Sequence, residues 1–125
     1  MEFIGWIEPR KLFERIDYLL FPSLWNEPFG RGIAEAMAQA VPVVAADVGG
    51  IPELIDDSVS GFLFDPRSFD QLSRLISALS AADYATLSKS ALEKARGFSR
   101  EAISRQFLQF IERVIESHNQ PRSTS

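Results

Sequence analysis

The sequence predicts an α/β protein: a parallel sheet of about four strands flanked by helices, followed by a helical carboxy-terminal half. Three observations carry this. Four short apolar runs, "EFIGWI", "YLLF", "PVVAA" and "GFLF", alternate with segments of helical period. From Ser68 onward, apolar residues recur at three- and four-residue spacing behind capping residues. A chain of 125 residues, 46% of them hydrophobic, is enough to bury one domain core.

Element by element, "EFIGWI" (Glu2 to Ile7) is rich in β-formers and is read as the first strand. "PRKLFERI" follows, with Pro9 at a helix start and Leu12, Phe13 and Ile16 on one face. "YLLFPS" is a continuous apolar run closed by Pro22, the pattern of a strand buried on both faces. "RGIAEAMAQA" is a helix whose small residues let it lie close to a sheet, and "PVVAA" is a second buried strand. "IPELI" makes a short helix after the Gly49-Gly50 turn, and "GFLF" is the last strand, closed by Asp65-Pro66. Ser68 with Gln71 forms a capping-box pattern before a stripe of Phe69, Leu72, Leu75, Ile76 and Leu79. A weaker helix spans about Tyr84 to Ala95 and stops at Gly97. Ser99 caps the last helix, whose stripe is Ile103, Phe107, Phe110, Ile111, Val114 and Ile115. That stripe is core or a surface that docks on another domain. One domain over 1–117 and a polar, disordered tail over 118–125 are expected.

Composition excludes several classes. The formal charge is −4 and the basic residues are scattered, which argues against a nucleic-acid partner. With no cysteine and one histidine, His118, near the chain end, thiolate zinc sites and most histidine-based catalysis fall away. No apolar run is long enough to span a bilayer, and the start carries no secretory pattern. A cytoplasmic location is expected, the intact protein being either free or peripheral to a membrane.

In open α/β sheets, ligands bind at the carboxyl ends of the strands. The most informative such loop is "LLFPSLWNEPFGRG". The helix after it begins near Gly30, so the amides of about Phe29 to Gly32 point outward and favour an anion such as phosphate. Gly30 and Gly32 allow a ligand close to the backbone. Glu27 precedes this helix and Glu35 lies in its first turns, so both can line one pocket. A carboxylate accepts two hydrogen bonds from a vicinal diol without a metal. Two acids around a phosphate-binding turn therefore suit a ligand with a diol at each end of a phosphate bridge, as in a nucleotide sugar. Acids near a helix start also stabilise its dipole, by about 0.3–1 kcal/mol, and spacing alone leaves both readings open. Gly49-Gly50 is read mainly as a turn, Glu53 as a cap of the short helix, and Trp25 as packing.

Taken together, Pro22-Ser23, Glu27-Pro28-Phe29-Gly30, Glu35-Ala36-Met37-Ala38, Pro42-Val43-Val44-Ala45, Gly49-Gly50-Ile51-Pro52-Glu53 and Gly61-Phe62-Leu63 form a combined pattern. It resembles the donor-binding half of retaining glycosyltransferases with two Rossmann-like domains, in particular the "glycosyl transferases group 1" family. The resemblance runs to about Ser117 and implies a partial Rossmann-like sheet. It implies that Glu27 contacts hydroxyls of the donor sugar near the reacting anomeric centre, and that Glu35 holds the ribose hydroxyls. Backbone amides of Phe29, Gly30 and Arg31 would meet sugar and diphosphate, and Trp6 and Ile7 would flank the nucleobase. The donor substrate would be a nucleotide-diphosphate sugar, with no cofactor and no metal; the acceptor is unknown.

The chain departs from the family pattern in two respects. Ala40 stands where the family usually has Gly, which is expected to tighten or shift the helix end. The family's amino-terminal acceptor domain, and an Arg and Lys that grip the diphosphate, have no counterpart here. By resemblance "EFIGWI" is the third and "YLLFP" the fourth strand of a sheet ordered 3-2-1-4-5-6. The two strands between them must be replaced by direct pairing, supplied by another chain or a missing domain, or left out at a cost in stability. The chain alone is expected to bind donor weakly and to transfer nothing. The competing readings are a non-catalytic remnant or interaction module with the same fold, and a small receiver-like domain.

Overall fold

The computed structural model describes residues 1–119. It shows an α/β arrangement around a three-stranded parallel sheet, with helices on both faces and a helical carboxy-terminal half. The elements run α1 (Pro9–Phe13), β1 (Leu19–Phe21), α2 (Arg31–Ala38), β2 (Val43–Ala46), α3 (Ile51–Leu54), β3 (Gly61–Phe64), α4 (Phe69–Ala78), a 3-10 turn (Leu79–Ala81), α5 (Tyr84–Arg96) and α6 (Arg100–Asn119). The strands lie in the order β1-β2-β3. Leu19 stands beside Val43 and Val43 beside Gly61 in parallel register.

The alternation along β2 explains how one strand serves two cores. Successive side chains of a strand point to opposite faces. Val43 and Ala45 join Ile33, Met37, Ile51, Leu54 and Ala91 on the face covered by α1, α2 and α5. Val44 and Ala46 pack with Phe64 on the other face, under Leu72, Leu75 and Leu79. All four β2 residues are buried, as a central parallel strand requires. Small side chains on α2 let it approach: Ala36 is fully buried with Ile33 and Met37.

Local signals placed most helix boundaries. The Ser68 side chain accepts the Gln71 amide at 3.3 Å and opens α4. Asp83 accepts the Thr86 amide at 3.2 Å and opens α5. Ser99 accepts the Ala102 amide at 3.1 Å ahead of α6. Lys94 Nζ reaches Asp56 at 2.7 Å and ties α5 to the loop after α3.

Four expectations need correction. Glu2 to Ile7 is not a strand, so the sheet has three strands rather than about four. The run finds no neighbour to pair with, Gly5 adopts a φ of 63°, and Phe3 and Trp6 stand in solvent. A strand is stable only when its backbone groups are matched, and apolar β-formers alone do not supply the match. β1 is not buried on both faces: it is the sheet edge, and Leu20 is 43% exposed. Phe69 and Ile76 leave the α4 stripe for solvent, and Leu72 and Leu75 of that helix pack on the sheet only half-buried. The α6 stripe is exposed from Ile103 to Ile115, which removes the core alternative and leaves that of a docking surface. Helix α6 extends to Asn119, so residues 118 and 119 of the expected tail are helical; the rest of that tail, 120–125, lies outside the described residues. No helix among the described residues is long and apolar enough to cross a membrane.

Candidate functional site

The loop after β1 and the start of α2 form the region singled out by sequence. Gly30 is the cap residue of α2, with φ 65° and ψ 57° and no side-chain cap bond. Such a left-handed residue is cheapest as glycine. The first helical bonds run from the amides of Ile33 (2.9 Å) and Ala34 (3.4 Å) to Gly30 O, so the amides of Arg31 and Gly32 lie ahead of them. Gly30 itself is buried, and a Cβ there would stand 3.1 Å from Ile33 Cδ1. Part of the demand for glycine is therefore internal packing rather than ligand approach.

Glu27 is held by its backbone. Its carbonyl accepts the Gly50 amide at 2.8 Å, and its own amide donates to Trp25 O at 2.8 Å. Gly49 has φ 55°, and a Cβ there would lie 2.5 Å from Glu27 O and 2.7 Å from Glu27 N. At Gly50 a Cβ would meet Pro28 O at 2.5 Å. The Gly49-Gly50 pair is thus more than a plain turn. It lets the loop leaving β2 press against the loop leaving β1, which fixes the Glu27 backbone. The side chain of Glu27 is half-buried.

Glu35 stands one turn along α2, where Arg31 Nε donates to its Oε1 at 2.8 Å. The two side chains are 37% and 87% exposed, so the pair contributes only about 0.2–0.5 kcal/mol. Glu35 and Arg31 border a cleft of about 410 Å³ between α2, the end of α5 and the start of α6. Its floor is apolar: Ala34, Ala38, Leu92, Ala95 and Phe98, with Arg96 and Ser99 at the rim. A second cleft, of about 370 Å³, is bordered by Pro28, Phe29, Gly50, Glu53, Lys94 and Gln106 among others. Phe98 lines both clefts, and its ring meets Phe29 edge-on at 6.2 Å, so this aromatic pair stands between them.

The structure therefore brings together Glu35, Arg31 and the amino end of α2, and places Phe29 next door. Glu27 lines neither of these two clefts. Trp6 is 92% exposed and Ile7 half-buried, in a segment that borders neither cleft. Trp25 is exposed rather than packed, beside Phe21, Pro22 and Leu24 at the sheet edge. Glu53 is exposed and does not cap α3, whose cap residue is Gly50. Sequence reasoning missed Phe98, Leu92 and Arg96. For Phe98 a signal existed: it precedes the Ser99 cap, and Phe98 with Ile103 occupies the positions of a hydrophobic staple. Among the described residues, no group of three His, Asp or Glu side chains is placed to hold a metal ion.

A parallel α/β sheet with Glu27 in the loop after β1, a glycine-capped helix start and Glu35 one turn into that helix defines a Rossmann-like arrangement. Comparison with known proteins narrows the class. The model of the family described as "Glycosyl transferases group 1" matches residues 1–103, and the chain belongs to that family. A D-inositol 3-phosphate glycosyltransferase of Mycolicibacterium vanbaalenii is 39% identical over 89 residues, covering 71% of this chain and 20% of that protein. Among solved structures, HepE of Anabaena in complex with UDP-glucose superposes with a TM-score of 0.71 at 33% identity, over 83% of this chain and 29% of that one. Sucrose-phosphate synthase of Thermosynechococcus elongatus superposes with a TM-score of 0.74 at 31% identity, over 93% of this chain and 30% of that one. The chain spans about a fifth of the length of the curated relatives it matches.

Proposed function

We propose that residues 1–117 are part of the donor-binding region of a retaining glycosyltransferase and take a nucleotide-diphosphate sugar without a metal. The observation that carries this is the carboxylate of Glu35 on the wall of an apolar cleft beside the uncapped start of α2. The support from relatives is that HepE was solved with UDP-glucose and with UDP. In this reading Glu35 accepts the ribose hydroxyls, and the amides of Phe29, Gly30 and Arg31 face the diphosphate. Glu27, on its braced loop, reaches the hydroxyls of the sugar near the reacting carbon. Trp6 and Ile7 flank the base once their segment is packed. Transfer would then rest on groups that meet charge developing at the sugar and on the leaving diphosphate.

The open edge of β1 belongs to the same proposal. Leu19 N–H donates to the O of Pro42, the residue before β2, so the backbone groups of Leu20 face away from the sheet. A further strand, from a preceding domain or from another chain, completes the sheet there and brings the acceptor side. The 125-residue chain alone binds donor and transfers nothing.

The test is a titration of the chain with UDP, UDP-glucose and guanosine diphosphate sugars. Glu35→Gln should weaken UDP and UDP-glucose alike, whereas Glu27→Gln should weaken UDP-glucose and spare UDP. Each loss should be about fivefold or more, the scale of a hydrogen bond to a charged group. No binding of any of these at millimolar concentration would instead favour a non-catalytic module with this fold.

A further inference from the structure

The Arg31–Glu35 pair breaks two local preferences. Arg31 is the first residue of α2, where the partial positive charge of the helix start disfavours a cation. The pair also runs cation first along the helix, the weaker order for residues four apart. Both side chains reach solvent, so the contact adds little to folding. Stability therefore gives no reason for an arginine here, and departures from local preference of this kind cluster at functional sites.

The pair also occupies the group assigned to the ligand. Arg31 Nε sits 2.8 Å from Glu35 Oε1, the carboxylate that faces the apolar cleft. A vicinal diol binding through both carboxylate oxygens must share Oε1 with Arg31 or displace it. The guanidinium, 87% exposed on a flexible stem, can turn aside with few contacts to lose. Its planar fork matches two phosphate oxygens, and the free amides of Arg31 and Gly32 lie on the same helix start.

Resting on the reading of Glu35 as the ribose-binding acid, we propose that Arg31 is a latch that trades partners. In the empty site its guanidinium holds Glu35. When a nucleoside diphosphate enters, the ribose hydroxyls take the carboxylate and the guanidinium turns to the diphosphate. Arg31 then contributes to affinity only for ligands that carry phosphate, and it competes with ligands that carry ribose alone. This is a specificity device: it disfavours nucleosides and favours their diphosphates at one residue.

The experiment is a nuclear magnetic resonance titration of the 125-residue chain with uridine and, separately, with UDP. Wild type, Arg31→Ala, Arg31→Lys and Glu35→Gln are compared. Arg31→Ala is expected to tighten uridine and to weaken UDP, each by roughly two- to fivefold. Arg31→Lys, which keeps the charge without the fork, is expected to fall between wild type and Arg31→Ala for UDP. Changes of the same sign for both ligands in Arg31→Ala, no change for either, or no binding of either by wild type would overturn the latch. The two layers separate in Glu35→Gln. Unchanged uridine affinity there removes the ribose assignment itself. Weakened uridine there, with no gain in Arg31→Ala, removes the latch and leaves the assignment standing.

Discussion

Ala40 shows what one residue can hide from a sequence reader. Its φ is 59°, in the left-handed region, although it is not glycine. The Val41 amide reaches Ala36 O at 3.0 Å and the Ala40 amide reaches Met37 O at 2.9 Å, the paired bonds of a Schellman end. The helix end is therefore neither lost nor loosened by the alanine; the chain accepts the strain. The Ser88 hydroxyl donates to Ala40 O at 2.6 Å and helps to hold it. Replacing Ala40 by Gly should raise stability by about 1 kcal/mol, since the left-handed conformation costs an alanine roughly that much. Urea unfolding checks it, and an unchanged or lowered midpoint contradicts it. Asp83 offers a second test at this scale. Hydrogen bonds from the Thr86 side chain and amide hold its carboxyl below the usual aspartate range. A depressed carboxyl contributes stability above the unfolded value, about 3.9, and loses it as pH falls through the folded one. Asp83→Ala should therefore lower the thermal midpoint at neutral pH, and the gap to wild type should shrink as pH drops below 4. A gap that stays constant to pH 2 would assign the effect to packing instead.

At the scale of elements, the legible parts were those whose cause is local. The caps at Ser68 and Ser99, the proline at the start of α1 and the all-apolar run of β2 each act within a few residues, and each boundary lies close to where the pattern put it. What failed depended on partners. "EFIGWI" has strand composition but no strand beside it, and β1 has a buried-strand composition but only one neighbour. The apolar stripe of α6 runs from Ile103 to Ile115, yet a stripe records only that a face wants cover, not what covers it. The Gly49-Gly50 turn was legible as a turn, whereas its contact with Asn26, Glu27 and Pro28 was not, since nothing in spacing reports that two loops touch. That contact gives a prediction for the pair of loops. Gly49→Ala must place a Cβ 2.5 Å from Glu27 O at a positive φ, and should cost about 2 kcal/mol or more. Amide shifts should move at Asn26 and Glu27 as well as at position 49. A variant as stable as wild type, with an unmoved Glu27 amide, would contradict the bracing role.

Over the whole molecule, the candidate site was half legible. Glu35, Arg31 and the start of α2 lie within nine residues of Glu27, and their chemistry reads from spacing. The other wall of the cleft, Leu92, Ala95 and Phe98, comes from α5 and the turn after it, which only the packed fold brings beside α2. Of the two clefts beside α2, Glu35 borders one and Glu27 neither. The account holds that the remaining surface comes from polypeptide beyond the open edge of β1. It also holds that the part present already recognises the nucleotide. The most direct measurement is amide hydrogen exchange of the 125-residue chain with and without saturating UDP-glucose. The account predicts slowed exchange at Phe29, Gly30, Arg31 and Gly32, and a smaller effect in Glu35→Gln at the same ligand concentration. Binding with no protection at those four amides, or protection that survives Glu35→Gln unchanged, would contradict it.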